Sequence, residues 1–332
     1  MVAPVVKELA QGQPETEFWV LSMPFCEPLF AGIGDNVHFL GRNVRKDYKG
    51  IGGLYRLFRE LNEMGFDQVC DLHDVLRTKV LRLFFRLHGY KVTKIDKERA
   101  DRKAITAPEG KKQLRQLTTG FEKYRATIPN PSPIMGKGVD TCQVSEVRMG
   151  SKGSCFGIAP FAAHAGKIYP LEKMERVMEL LIERRPDSRI VFFGGGGQER
   201  EQMLLWKEKF PKHVTTARDV LDGTETALTF NKIDKSGLAG ELELMKQLDC
   251  MVSMDSANMH LASLVGTRVV SVWGATHPFA GFLGWGQRME DCVQVDLPCR
   301  PCSIYGNKPC HRGDKACMQN ISPEMIVDVI LK

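Results

Sequence analysis

The stretch DCMVSMDSANMHLASLVGTRVVSV, residues 249–272, decides the fold. Asp249 to Met254 reads as a buried apolar strand. Asp255 ends it, Ser256 to Val265 has helical spacing, and Arg268 to Val272 is a second apolar strand. Strand, helix and strand in close succession make a βαβ unit, with parallel strands and the helix across one face. Outward from it the alternation continues. Strands are predicted at Ser154 to Pro160, Arg189 to Phe193 and Val214 to Ala217. Helices are predicted at Leu171 to Arg184, Gln198 to Lys209, Leu238 to Leu248 and Pro323 to Leu331.

The first half has the same rhythm. Val2, Val5, Val6 and Leu9 have helical spacing, Ile51 to Met64 and Leu76 to Leu87 are amphipathic helices, and strands fall at Glu17 to Leu21, Val37 to Leu40, Asp67 to Leu72 and Tyr90 to Ile95. Asn130 to Gly153, rich in Pro, Gly and Ser, reads as the linker. The expected fold is α/β, with two doubly wound parallel-sheet domains facing across a cleft: residues 1–150, residues 151–321 and a closing helix at 322–332. Ligands in such sheets sit beyond the carboxyl ends of the strands. One feature departs from the pattern. A doubly wound domain opens with a strand, and this chain opens within a helix.

Composition narrows the function. The chain has 332 residues, 43% of them apolar and 26% charged, with a net charge of +6. These are the proportions of a globular protein, not of a disordered or fibrous one. No apolar run reaches the ~18 residues of a spanning helix. The N-terminus lacks the order of a signal peptide, so the chain reads as cytoplasmic. From Arg77 to Arg125, fifteen Lys and Arg face five Asp and Glu, a surplus of ten positive charges. Such a surplus suits a phosphorylated acceptor or a membrane surface; a solvated helix face is the ordinary alternative.

Four motifs stand at strand ends. In the opening stretch Asp255 can cap the helix, and Ser256 and Ala257 let a ligand approach its first free N–H groups. His260 shares the helix face of Ser256. An N-cap beside a core histidine explains the same pattern equally well. APFAAHAGKIYP, residues 159–170, sets Lys167 in a loop after a strand, where it can meet a phosphate or simply be solvated. FGGGGQERE, residues 193–201, is neither a Walker loop nor a dinucleotide fingerprint. Its Glu199 can accept hydrogen bonds from a ribose or a base, or serve as a first-turn acid. Cys299, Cys302, Cys310 and Cys317 fall within a Cys-rich loop, 292–317. They are either structural zinc ligands or plain thiols. The other six of the ten cysteines, Cys142 among them, are scattered as reduced core residues are.

Taken together these segments resemble glycosyltransferase family 9, the ADP-heptose:lipopolysaccharide heptosyltransferases. The likeness is carried by MDSANMHLASLVGTRVVSVWGATHPFAGF (254–282), GIAPFAAHAGKIYPLEKME (157–175), FWVLSMPFCEPLF (18–30), DLHDVLRTK (71–79) and IDKERADRKA (95–104). It implies the two-domain GT-B architecture, an acceptor-binding N-terminal domain and a donor-binding C-terminal domain. It also implies an inverting transfer of heptose, or a related sugar, from an ADP-sugar to a lipopolysaccharide-core or other surface-glycan acceptor. By motif, Asp255, Ser256, Ala257 and His260 line the diphosphate and sugar, Lys167 meets the donor phosphate or sugar, Glu199 faces the nucleoside and Thr276 lies near the same pocket. No catalytic metal or other cofactor is expected. Contact with the inner membrane surface is expected to be peripheral, and nucleic acid is not among the expected partners.

The family's catalytic base is an Asp at the end of a first strand, which the resemblance places ahead of Met1. Gly34-Asp35 lies after the second strand and is not assigned that role. A nucleotide-sugar epimerase on the same fold and a non-catalytic or truncated nucleotide-sugar-binding protein remain alternatives. A basic, zinc-containing nucleic-acid module is a weaker one.

Overall fold

The computed structural model describes residues 1–129, 154–224, 230 and 233–332. The expected linker at Asn130 to Gly153, with Cys142, lies outside the described residues. The chain divides into two compact units. Met1–Glu98 and the helix that follows Thr118 belong to the first. Arg99–Leu117 and the described residues from 154 onward belong to the second.

The first unit opens with α1 (Val2–Gly12), which buries Val5, Val6 and Leu9 along one face. Strand β1 (Phe18–Ser22) pairs in parallel with β2 (Val37–Gly41). After the short α2 (Val44–Asp47) and α3 (Gly50–Asn62), strand β3 (Gln68–Asp71), helix α4 (Leu76–Leu87) and β4 (Lys91–Lys94) follow, and β3 pairs in parallel with β4. Leu54, Leu57 and Phe58 of α3 meet Leu81 and Phe85 of α4 in the unit's core. Helix α5 (Arg99–Ile105) belongs to the second unit, and α6 (Gly120–Thr127) returns to the first. A capping box starts α6: Thr119 Oγ1 accepts from the Glu122 N–H, and the Glu122 carboxylate accepts from the Thr119 N–H at 2.7 Å.

Among the described residues pairing is parallel throughout, but those of the first unit form two separate two-stranded sheets, β1–β2 and β3–β4. Among the described residues no strand joins β1 to β3. No residue of β1 or β2 is fully buried, whereas parallel strands are ordinarily covered on both faces.

The second unit holds β5 (Cys155–Ala159), α7 (Leu171–Arg184), β6 (Arg189–Phe192), α8 (Gln198–Lys209), β7 (Val214–Thr216), α9 (Ala217–Leu221) and α10 (Gly237–Met245). It continues with β8 (Cys250–Met254), α11 (Ala257–Leu264), β9 (Val269–Val272), β10 (Cys292–Val293), α12 (Ala316–Gln319) and α13 (Pro323–Ile330). The sheet order is β10-β9-β8-β5-β6-β7, all parallel. Successive strand residues alternate between two cores. Ile158, Val252 and Val270 meet Met178 and Leu181 of α7 and Ile326 of α13 on one face. Val191, Met251 and Val269 meet Leu244 of α10 and Met259 of α11 on the other. The chain runs outward from β5 to β7, then returns to the opposite side of β5 with β8. The strand order therefore reverses between β5 and β8, where an open α/β sheet leaves a crevice at its carboxyl edge.

Arg99–Leu117, expected with the first domain by sequence order, packs with the second unit. Ile105 and Leu117 are buried beside Ala280. The Leu117 N–H donates to the Phe279 carbonyl at 2.8 Å. Lys112 Nζ donates to the carbonyls of Cys299 and Pro301, at 2.7 Å each.

Candidate functional site

A cavity of about 780 Å³ opens at the carboxyl edge of the second unit's sheet. Its wall is made where β5, β6 and β8 end. The loop after β5 brings Lys167, the turn after β6 brings Gly194 and Gly195, and the turn after β8 brings Asp255 and Ser256. These are the positions that the switch in strand order marks.

Lys167 and Asp255 meet here. Lys167 Nζ lies 2.8 Å from Asp255 Oδ2, and both side chains are largely buried, with 14% and 5% exposed. The ammonium has three protons and the carboxylate takes one, which leaves two to aim at an anion. Asp255 is thus not the helix cap. Ser256 occupies the N-cap position of α11 and makes no side-chain cap, its Oγ lying 3.2 Å from Ser253 Oγ instead. The first N–H groups of α11 therefore remain free toward the cavity, at the positive end of the helix dipole.

Glu199 bends back across the glycine run, and its carboxylate accepts the Gly195 N–H at 2.9 Å. His260 faces the cavity one turn into α11, and its Nδ1 is buried without a partner. Burial, aided by the Lys167 charge, pushes its imidazole down to about 3, so the ring is neutral near pH 7. Thr276 does not line the cavity. It is fully buried, and its carbonyl accepts from Arg300 Nη2 at 3.0 Å.

Sequence reasoning missed Glu241 of α10, Phe282 and Tyr305, all of which line the cavity. Burial raises the Glu241 carboxyl above the usual range. Arg102 of α5 donates to the Tyr305 hydroxyl at 2.8 Å and lies 5.4 Å from the Phe282 ring centre. Phe282 and Arg102 lie in stretches 254–282 and 95–104 and Tyr305 in the Cys-rich loop, but nothing in those stretches singles the three out, and Glu241 stands in no motif.

The cysteine loop buttresses the lysine. Gly306 has φ +72°, and a Cβ there would meet Lys167 Cγ at 2.6 Å; one on Gly166 would meet the Gly306 carbonyl at 2.8 Å. Arg300 is 3% exposed and stitches the loop to the end of β9, donating to the carbonyls of Gly274 at 2.6 Å and Trp273 at 3.2 Å. Cys299, Cys302, Cys310 and Cys317 are free thiols, and burial pushes Cys317 up to about 11. Among the described residues no three His, Cys, Asp or Glu side chains are grouped to hold a metal ion. The spacing leaves structural zinc ligands or plain thiols, and both readings stand: Cys299, Cys302 and Cys310 lie close enough for their charge to raise the Cys317 thiol further, and Arg300 is set among three of these thiols.

In the first unit the DLHD turn is structural. The Asp71 carboxylate accepts the N–H groups of His73 and Asp74, at 2.9 and 2.8 Å, and Arg82 lies 3.1 Å from both acids. Asp35 is exposed in the turn that precedes β2.

The model of glycosyltransferase family 9 (heptosyltransferase) matches residues 54–309 of this chain. The chain belongs to that family. A lipopolysaccharide heptosyltransferase 1 from Pseudomonas aeruginosa is 24% identical, with 90% of this chain and 81% of that protein covered. A lipooligosaccharide heptosyltransferase 2 from Campylobacter jejuni is 29% identical over 84 residues, so the chain spans about a quarter of that relative's length. Two solved structures share the fold. Escherichia coli ADP-heptose heptosyltransferase II has a TM-score of 0.59 at 15% identity, with 99% of this chain and 94% of that one covered. E. coli heptosyltransferase WaaC with ADP has a TM-score of 0.58 at 17% identity, with 91% of each chain covered. The parallel α/β architecture of this family 9 chain is that of the GT-B heptosyltransferases. The matched span, 54–309, contains the Lys167–Asp255 pair, the glycine run and two of the four clustered cysteines, Cys299 and Cys302.

Proposed function

We propose that this chain is an inverting glycosyltransferase that moves heptose, or a related sugar, from an ADP-sugar to a lipopolysaccharide-core or other surface-glycan acceptor. The observation that carries the reading is the buried Lys167–Asp255 pair beside the free N-terminus of α11, which makes a site for a diphosphate. An acceptor hydroxyl attacks the anomeric carbon as the bond to the diphosphate breaks. ADP leaves with the electron pair, the hydroxyl proton passes to a base, and the configuration inverts. Lys167 and the α11 N–H groups stabilise the charge growing on the leaving diphosphate. The neutral ring of His260 offers a hydrogen bond to the sugar or the diphosphate. Glu199 and Glu241 offer acceptors to ribose hydroxyls, and Phe282 and Tyr305 an aromatic wall to the base. The first unit would take the acceptor. The enzyme would work in the cytoplasm against the inner membrane surface, where that acceptor is displayed. Among the described residues no helix is long and apolar enough to cross a membrane.

Calorimetry with ADP tests the donor site. Lys167→Ala should weaken binding by about tenfold or more, since a charge-assisted hydrogen bond contributes ~1.5–3 kcal/mol. Undiminished affinity would remove Lys167 from the site. Product analysis with ADP-heptose and a lipopolysaccharide-core acceptor tests the reaction. Conversion of the donor without acceptor would show an epimerase, and binding without turnover a non-catalytic protein.

A further inference from the structure

We infer that α4 docks the protein on an anionic bilayer through a leucine stripe on its outer face. The inference deepens the membrane-surface part of the function proposed above and rests on it. Helix α4, LRTKVLRLFFRL, is apolar on two opposite sides. Leu81 and Phe85 point into the core at 8% and 3% exposure. On the other side Leu76, Leu83 and Leu87 are 79%, 55% and 72% exposed. Their spacing of seven and then four residues sets the three on one line of the helix surface. A single exposed leucine is ordinary, but three aligned on one helix are a patch that requires an occupant. The patch continues onto α3, where Ile51 is 70% and Tyr55 46% exposed, and the Tyr55 ring packs edge-on against Phe84 at 5.4 Å.

Charge decides the occupant. The helix carries no acidic residue. At ~100° per residue, Lys79 and Arg86 flank the stripe on one side and Arg77 on the other, while the fourth cation, Arg82, turns inward to Asp71 and Asp74. An apolar line edged by cations is the pattern of a helix lying in a lipid headgroup layer: leucines enter the acyl boundary and the long cationic side chains reach back to phosphates. A second copy of this chain fits poorly. A two-fold interface would set Arg77, Lys79 and Arg86 against their own copies. An anionic leaflet neutralises the same charges.

The test uses the full chain and flotation with vesicles of phosphatidylglycerol and phosphatidylethanolamine, against vesicles of phosphatidylcholine alone. The protein should float with the anionic vesicles, less so as salt rises. The triple variant Leu76→Asp, Leu83→Asp, Leu87→Asp should lose about tenfold or more of that partition. Arg77→Gln, Lys79→Gln, Arg86→Gln should lose the preference for anionic vesicles. Leu205→Asp, at an exposed leucine of α8 in the other unit, should float as the unaltered chain does. Unchanged circular dichroism and ADP binding would show that the leucine variant is folded. Flotation of that variant equal to the unaltered chain would overturn the inference. So would sedimentation showing a dimer that the leucine variant splits while vesicle binding persists. Transfer to a soluble, deacylated core acceptor separates the two readings: its absence in the unaltered chain counts against the proposed reaction, and its retention by the leucine variant keeps docking distinct from catalysis.

Discussion

His260 and His277 are both held neutral by burial, at about 3 and about 4 against an ordinary 6.5. In each case the unfolded chain takes up a proton at a higher pH than the folded one. Their neutrality therefore supports the fold fully above pH 6.5, and that support is lost progressively as pH falls, down to about 4 for His277 and about 3 for His260. Thermal melts should show the second unit losing stability across this window. His260→Asn should flatten the loss, and an unchanged acid profile in that variant would show that His260 titrates normally. The histidine itself was legible in the sequence, because a strand running into Asp-Ser-Ala marks a helix start and His260 follows one turn later. Its partners were not. Lys167 and Asp255 each stand at a recognisable strand end, yet nothing in either motif says that the two side chains pair. Pairing follows only once β5 and β8 are neighbours. Glu241 was silent, since a buried acid on a helix has the same letter as a solvated one.

At the scale of elements, hydrophobic period carried most of the reading. Helix α4 was expected at Leu76 to Leu87 and is found there, and β8 was expected to be apolar and is buried at every residue. Elements without a periodic stripe escaped it. α6 announces itself only by the Thr119–Glu122 capping box, and α5 is too short and too charged to show a face. The loop from Arg300 to Cys317 was read for its cysteines, but its fit to Lys167 depends on a glycine. Gly306→Ala should cost about 1 kcal/mol or more through its positive φ alone. It should also displace the lysine stem and weaken ADP binding by up to about tenfold. Gly313 has φ +80° with no atom within 4 Å of a built Cβ, so Gly313→Ala carries the backbone cost without the displacement. Melting temperature and ADP affinity measured on both variants separate the two effects. Equal affinities would mean that the loop does not position Lys167.

For the whole molecule, the two units differ in how their sheets are closed. The second unit has a six-stranded parallel sheet with apolar layers on both faces. The first has two two-stranded sheets, and an isolated pair of strands is only marginally stable. The sequence showed strands in both halves, but their letters could not show how many neighbours each would find, because pairing is a property of the sheet and not of the strand. Local stability should follow the sheets. Amides of Val20, Phe39, Val69 and Val92 should exchange with solvent about a hundredfold or more faster than those of Ile158 and Val252 at the middle of the large sheet. Ligand linkage sharpens the contrast. A ligand that binds only the folded second unit stabilises it by RT ln(1 + [L]/Kd), ~2.7 kcal/mol at ~100 Kd, which slows its most protected amides by about a hundredfold. Hydrogen exchange with and without ADP should therefore show added protection across β5, β6 and β8, with β1 to β4 unmoved. Uniform protection of both sets would mean that the two units open as one cooperative body, and the marginal stability assigned to the first unit would be wrong.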